Sequence, residues 1–173
     1  MSDEIQVEIA DPVALIRLNR PEKLNALTYP MLAELVAPRR VVPLELELEA
    51  HYHGDTVLCA FGPGRRLLLA YRAGLSPASW TRLLGLFGNA VIELSDADAA
   101  RYAANSFGLA AGGESVLVMP AGVSDRLLAQ VHERGVTPMT VDVSEFLKKG
   151  GGSVKCMIGD LGLLPLGSEN DRA

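Results

Sequence analysis

Cys156 closes the run Lys148-Lys149-Gly150-Gly151-Gly152-Ser153-Val154-Lys155-Cys156, in which three consecutive glycines and three lysines come within eight residues of a thiol. Two readings of such a thiol are open. It is an inert core residue at a strand end, or it is a nucleophile. As a nucleophile it would have its approach path cleared by the glycines and its thiolate favoured by lysines pointing at it. A cysteine nucleophile works with an acid–base partner, and the chain has three histidines. His132, in Val131-His132-Glu133-Arg134, is expected on the surface of a helix. His51 and His53 flank Tyr52 at the mouth of a strand, where regular alternation sets both imidazoles on one face. Each alone reads as a surface or structural histidine. The run His53-Gly54-Asp55 adds a carboxylate two residues after an imidazole, on the same side of an extended chain. An imidazole and a carboxylate facing one space suit a cationic substrate.

These residues need elements to position them. Residues 5–9 and 13–18 read as two strands joined at Asp11-Pro12, a hairpin. Pro21 breaks the second strand, and residues 24–35 are expected to be helical, with Thr28 as N-cap. Beyond Ala37-Pro38-Arg39-Arg40, the period-two pattern of Leu44, Leu46 and Leu48 predicts a strand whose other face carries Glu45, Glu47 and Glu49 in solvent. Residues 55–71 read as a hairpin around Gly62-Pro63-Gly64. Ser76-Pro77 starts a helix. Residues 91–94 are strand, and Ser95 caps a helix through about residue 105. Strands at 115–119, 137–143 and 153–158 alternate with helices at 124–134 and 144–149. The order from residue 41, close to β-β-β-α-β-α-β-α-β, is that of an α/β fold with mixed sheets; no sequence repeat of 20–50 residues is evident.

Composition bounds the function classes. At 173 residues with 49% apolar and 21% charged residues, the chain is large enough for a real core and not of disordered type. A net charge of −5 leaves no basic footprint for nucleic acid. Two cysteines, Cys59 and Cys156, are too few for a disulfide framework and suggest a reducing compartment. The acidic start Met1-Ser2-Asp3-Glu4 is no signal segment, and the longest apolar runs are too short to span a bilayer. A soluble, cytoplasmic protein is the expectation, with no membrane partner.

Two resemblances are carried by particular residues. Residues 13–35, reading VALIRLNRPEKLNALTYPMLAEL, resemble the N-terminus of the enoyl-CoA hydratase (crotonase) family, which implies that the loop around residues 23–26 lies near bound CoA. The Gly-rich segment that builds that family's oxyanion hole has no counterpart downstream. Further on, His53-Gly54-Asp55-Thr56, Ala104-Asn105-Ser106 and the glycine run ending in Cys156 together resemble the guanidino-group-modifying superfamily of dimethylarginine dimethylaminohydrolase, arginine deiminase and glycine amidinotransferase. The motifs stand in that superfamily's order, with His53 and Cys156 103 positions apart.

What this second resemblance implies is a partial α/β-propeller of ββαβ units, preceded by the short hairpin plus helix. With the first resemblance and the polar C-terminal stretch, this gives three expected domains: 1–36 crotonase-like, 41–165 guanidino-modifying, and a disordered tail over 166–173. Cys156 would attack the guanidinium carbon, giving a covalent thiouronium intermediate. His53 would act as acid and base, and Asp55 would hold the guanidinium of arginine or a methylated arginine. No metal and no organic cofactor is implied, because the thiol itself supplies covalent catalysis. The superfamily's earlier half, with its Glu-Gly-Gly-Asp type motif, has no counterpart in residues 1–52, so the chain reads as composite: a fusion, a truncated gene or a misassembled frame. The leading expectation is a hydrolase of the dimethylargininase or arginine deiminase type, incomplete and inactive alone. Three alternatives stand beside it: a non-catalytic half-domain that needs a partner chain or forms a homo-oligomer, an amidinotransferase, and, remotely, a crotonase-like CoA binder.

Overall fold

The structure, a computed structural model, describes residues 5–10, 13–18, 42–51, 53–111 and 113–159. The expected helix over 24–35, the loop at 23–26 and the tail over 166–173 lie outside them. The chain divides into two units, residues 1–44 and 45–173. In the first, β1 (Ile5–Ala10) pairs antiparallel with β2 (Val13–Leu18) in the register Ile5–Leu18 to Ala10–Val13. The antiparallel pairing is the one expected of these two strands.

The second unit is built from one supersecondary motif used twice. β3 (Leu58–Phe61) runs antiparallel to β4 (Leu67–Ala70), the chain crosses through α1 (Pro77–Phe87), and β5 (Val91–Glu93) returns parallel to β4. After α2 (Asp96–Ala100), β6 (Phe107–Ala111) and β7 (Glu114–Pro120) form an antiparallel pair, α3 (Asp125–Glu133) crosses, and β8 (Thr137–Val141) lies parallel to β7. The last helix described, α4 (Ser144–Gly150), follows. The result is two three-stranded mixed sheets of order β3-β4-β5 and β6-β7-β8, each a ββαβ unit. The helix caps mark the period: Ser76 and Ser124, 48 residues apart, each accept the N–H of the residue three further on, Ser79 and Leu127, at 3.2 Å.

Central strands explain why the sequence folds this way. β4 and β7 have neighbours on both edges, and their apolar runs (Leu68-Leu69-Ala70 and Val116-Leu117) are buried on both faces, as parallel pairing requires. Leu69 and Leu117 are wholly buried, each contributing roughly 1.5–3 kcal/mol of transfer free energy. They meet Phe61, Ile92, Met119, Leu127 and Val131 in one core. Pro138 is tolerated because β8 is an edge strand. The α/β class with mixed sheets and short helices is as expected; the two sheets do not close into a ring.

Three expectations are corrected and one strand is added. The strand at 44–48 is reduced to one bridge, Leu46 to Leu75: the alternation of partly buried and exposed residues is present, but it meets a loop rather than a strand. β6 over Phe107–Ala111 replaces the unassigned stretch after residue 106; its Phe-Gly-Leu-Ala-Ala composition carries no polar alternation. The alanine-rich helix ends at Ala100, because Tyr102 takes a left-handed φ of +57° that no helix continues through. Residues 153–158 form no strand: Lys155–Met157 is a single 3-10 turn.

Candidate active site

Three turns build the site. The first follows a short 3-10 turn at Glu49–His51. His53 is extended and caps a second such turn, Gly54–Thr56, in which Thr56 donates both its N–H (3.1 Å) and its Oγ1 hydroxyl (2.8 Å) to the His53 carbonyl. The strand alternation expected at His51, His53 and Asp55 is therefore absent; the backbone turns instead. His51 is buried and His53 exposed, so the two histidines do not share a face. His51 is structural. Its ring lies 5.4 Å from that of Tyr71 and 5.7 Å from that of Tyr102, and its Nδ1 is 3.3 Å from Thr56 Oγ1. Since the Thr56 hydrogen goes to His53, the proton of that contact belongs to His51 Nδ1. Burial holds the His51 imidazole below its ordinary value.

The second turn carries Asn105. The buried carboxylate of Asp98 accepts from Ser95 Oγ (2.6 Å), Ser124 N (2.7 Å) and Ser124 Oγ (2.9 Å), tying α2 to the start of α3. Its carbonyl takes the N–H groups of Arg101 and Ala103. From this anchor the left-handed Tyr102 redirects the chain and receives the N–H of Asn105 at 2.8 Å. Asn105 is fully buried.

The third turn bears the thiol. α4 opens with the Asp142 carboxylate accepting the Ser144 N–H at 2.9 Å and ends at Gly151, whose left-handed φ of +65° caps the helix. Gly152 is needed for a different reason: a Cβ there would stand 2.7 Å from Cys156 Cβ and 3.1 Å from its Sγ. Ser153 and Val154 then turn inward and are buried, and Cys156 stands exposed on the 3-10 turn. The bland reading of this thiol as a buried core residue is thereby excluded. Buried Cys59 is the inert one. Its Sγ donates to the Ser106 carbonyl at 3.3 Å, and burial pushes the thiol up to about 11.

Asn105 joins the other two turns. Its Oδ1 accepts the N–H of Ser153 (2.9 Å) and of Cys156 (3.3 Å), and its carbonyl accepts the N–H of Lys155 (3.0 Å). On the other side its Nδ2 donates to the Asp55 carbonyl at 3.4 Å. A further link is ionic: Lys155 Nζ lies 3.9 Å from Asp55 Oδ2, both partly exposed. The turn of His53 and Asp55 is thus brought beside that of Cys156. The lysines do not crowd the sulfur as anticipated. Lys148 and Lys149 lie 3.2 and 3.1 Å from the Glu145 carboxylate on α4, and Lys155 faces Asp55. His132 is exposed at the end of α3, as expected, and Glu45, Glu47 and Glu49 are solvated. The sequence singles out Ala104-Asn105-Ser106 as a motif but gives Asn105 no role; no pattern of types announces a residue that works by linking two distant turns. Among the described residues no group of three or more His, Cys, Asp or Glu is placed to hold a metal, and no helix is long and apolar enough to cross a membrane.

Comparison with known proteins meets this geometry. Residues 81–163, which include Asn105 and Cys156, match the family of eukaryotic N,N dimethylarginine dimethylhydrolases. The chain is 36% identical over 116 residues to the N(G),N(G)-dimethylarginine dimethylaminohydrolase of Mycobacterium tuberculosis, covering 67% of this chain and 35% of that one. In sequence and in fold the chain is similar to the guanidino-group-modifying superfamily. Solved superfamily relatives agree in fold. The N-terminal domain of ArgZ, an arginine dihydrolase from the ornithine-ammonia cycle in cyanobacteria, superposes with a TM-score of 0.67 at 27% identity, over 75% of this chain and 44% of that one, in its product-bound form. The same domain is known covalently bonded to a reaction intermediate. Unliganded AgrE gives a TM-score of 0.59 at 28% identity, over 66% of this chain and 16% of that one. The chain therefore spans about a third of its dimethylarginine-hydrolysing relative and under half of the ArgZ domain.

Proposed function

We propose that residues 45–159 carry the nucleophile-bearing part of a site that hydrolyses the guanidinium group of arginine or a methylated arginine. The observation that carries this reading is the joining of the Cys156 turn to the His53–Asp55 turn through Asn105. Cys156 thiolate adds to the guanidinium carbon and His53 protonates the departing amine, which leaves an S-alkylthiouronium. His53 then takes a proton from water as the oxygen attacks the same carbon, and the C–S bond breaks to give a ureido product and the free thiol. Asp55 supplies charge-assisted hydrogen bonds to the guanidinium nitrogens. Its present cation, the Lys155 ammonium at 3.9 Å, is a weak exposed partner that an incoming guanidinium displaces. Of the superfamily's reactions, hydrolysis is favoured over amidino transfer because the relatives matched are a dimethylaminohydrolase and an arginine dihydrolase. Citrulline release from arginine and from methylated arginines, with mass analysis of Cys156 for the trapped intermediate, tests it. Turnover or adduct formation abolished in Cys156→Ala is the expected result; no turnover and no adduct in the intact chain, with ligand binding unchanged in Cys156→Ala, overturns it.

A second reading is favoured by one feature. β3 and β6 are edge strands of their sheets, and a cleft of about 880 Å³ opens along them, with Phe61, Phe107, Leu109 and Val136 in its wall and Arg65 and Lys155 beside them. A partner chain supplying further ββαβ units would cover it, and the site would act only in that complex. For residues 1–36 the crotonase-like character remains a proposal of its own, resting on the LNRPEKLNAL resemblance.

A further inference from the structure

The Cys156 turn belongs to no sheet, and three of its amides share one destination. The N–H groups of Ser153 and Cys156 end on Asn105 Oδ1, and that of Lys155 ends on the Asn105 carbonyl. We infer that Asn105 is the positioning residue of the guanidine site, its carboxamide setting where the Cys156 thiol stands relative to Asp55. This rests on the functional reading above and turns the link into a role, that of fixing where the thiol stands. Asn105 touches neither sulfur nor substrate; it acts through two backbones, 50 and 51 residues away in sequence.

Its chemistry fits that role and few other side chains would. Oδ1 has two lone pairs, and both are taken by the nucleophile turn, while Nδ2 reaches the Asp55 carbonyl in the opposite direction. A residue that only capped the 3-10 turn would need the acceptor alone. The placement is also held at a cost. Tyr102, three residues before, is a bulky residue at φ +57°, a conformation that persists only where its surroundings over-determine it. They do: its N–H bonds to Ala99, the next N–H bonds to Asp98, and its ring lies against His51 beneath the His53 turn. The strained turn, the buried carboxamide and the exposed thiol form one chain of contacts.

The test reads position rather than fold. Purified chain is alkylated in parallel with 2-chloroacetamidine, whose amidinium mimics a guanidinium, and with neutral iodoacetamide, and the Cys156 rate ratio is taken by peptide mapping. Amide exchange over residues 153–157 is followed by mass spectrometry. In Asn105→Ala those amides are expected to exchange at least tenfold faster and the preference for the amidine to fall at least fivefold, with the iodoacetamide rate changed less than twofold. Asn105→Asp, which keeps an acceptor for Ser153 and Cys156 but has no donor for the Asp55 carbonyl, is expected to retain protection within threefold of the parent while the amidine preference falls at least threefold, and it decides the matter if the alanine variant fails to melt cooperatively. A folded Asn105→Ala that keeps the full amidine preference, or an Asn105→Asp that keeps both protection and the full preference, overturns the inference. A parent chain with no amidine preference overturns the functional reading itself, and the inference with it.

Discussion

Gly152 and Ser153 show how narrowly the thiol is placed. A methyl at residue 152 would overlap Cys156 Cβ at 2.7 Å, so Gly152→Ala is expected to move the thiol and lower the amidine preference of Cys156 at least tenfold. Because Gly152 is partly exposed, the melting temperature should change little; thermal denaturation beside the alkylation assay checks both. Ser153 is the converse case. Its hydroxyl is buried without a hydrogen-bond partner among the described residues, a desolvation cost of about 1–3 kcal/mol. Ser153→Ala keeps the amide that Asn105 binds and removes that cost, so urea unfolding is expected to show equal or higher stability, by up to about 1 kcal/mol. The two cysteines should also differ sharply. With Cys59 pushed up from 9.0 to about 11, the folded chain holds that proton more tightly than the unfolded one. Its contribution to stability is whole below pH 9 and is lost as pH rises toward 11, to a total of about 3 kcal/mol. Denaturant midpoints taken from pH 8 to 11 should fall accordingly, and less so in Cys59→Ala. His51 works in the opposite pH range. Its imidazole is held below the ordinary value of 6.5, so the stability it confers is present above pH 6.5 and falls as pH drops below.

Among the elements, α3 and the residues before it hold the two ββαβ units in step. Asp98 reaches from α2 to both the N–H and the hydroxyl of Ser124, and each ββαβ crossover helix is capped by a serine 48 residues from its counterpart. Ser124→Ala should cost about 1 kcal/mol as a lost cap. Asp98→Ala should cost more, about 2–4 kcal/mol, because it leaves the half-buried Ser124 donors unpaired; chemical unfolding of the two variants gives the comparison. The hairpins, both crossover helices and most strands were legible in the sequence, since Ser-Pro starts, Gly-Pro-Gly turns and short apolar runs are local signals. β6 was not, because Phe107 to Ala111 is small and apolar without period. The strand expected at 153–158 was not there, because its pattern Ser-Val-Lys-Cys-Met-Ile mimics alternation while its amides are taken by a side chain 48 residues away. Long-range hydrogen bonds of that kind leave no trace in a local pattern.

At the scale of the molecule, the twofold use of a ββαβ unit was invisible as residue identity and appears only as topology and spacing. The candidate site residues stood out by type, Cys156 by its glycines and His53 by the carboxylate two residues after it, whereas the residue that joins them is an asparagine in an alanine-rich stretch. The open cleft along β3 and β6 raises the question of whether the site works alone, and sedimentation velocity, with and without a chain supplying the superfamily's other units, addresses it. The central claim is that Cys156 and Asp55 form one guanidine site, and the most direct measurement is the Cys156 rate ratio for 2-chloroacetamidine over iodoacetamide in the native and the urea-unfolded chain. A native ratio at least tenfold above the unfolded one, falling toward it in Asp55→Asn, is the expected result. Equal ratios in the native and unfolded chains, with Asp55→Asn no different, would contradict it.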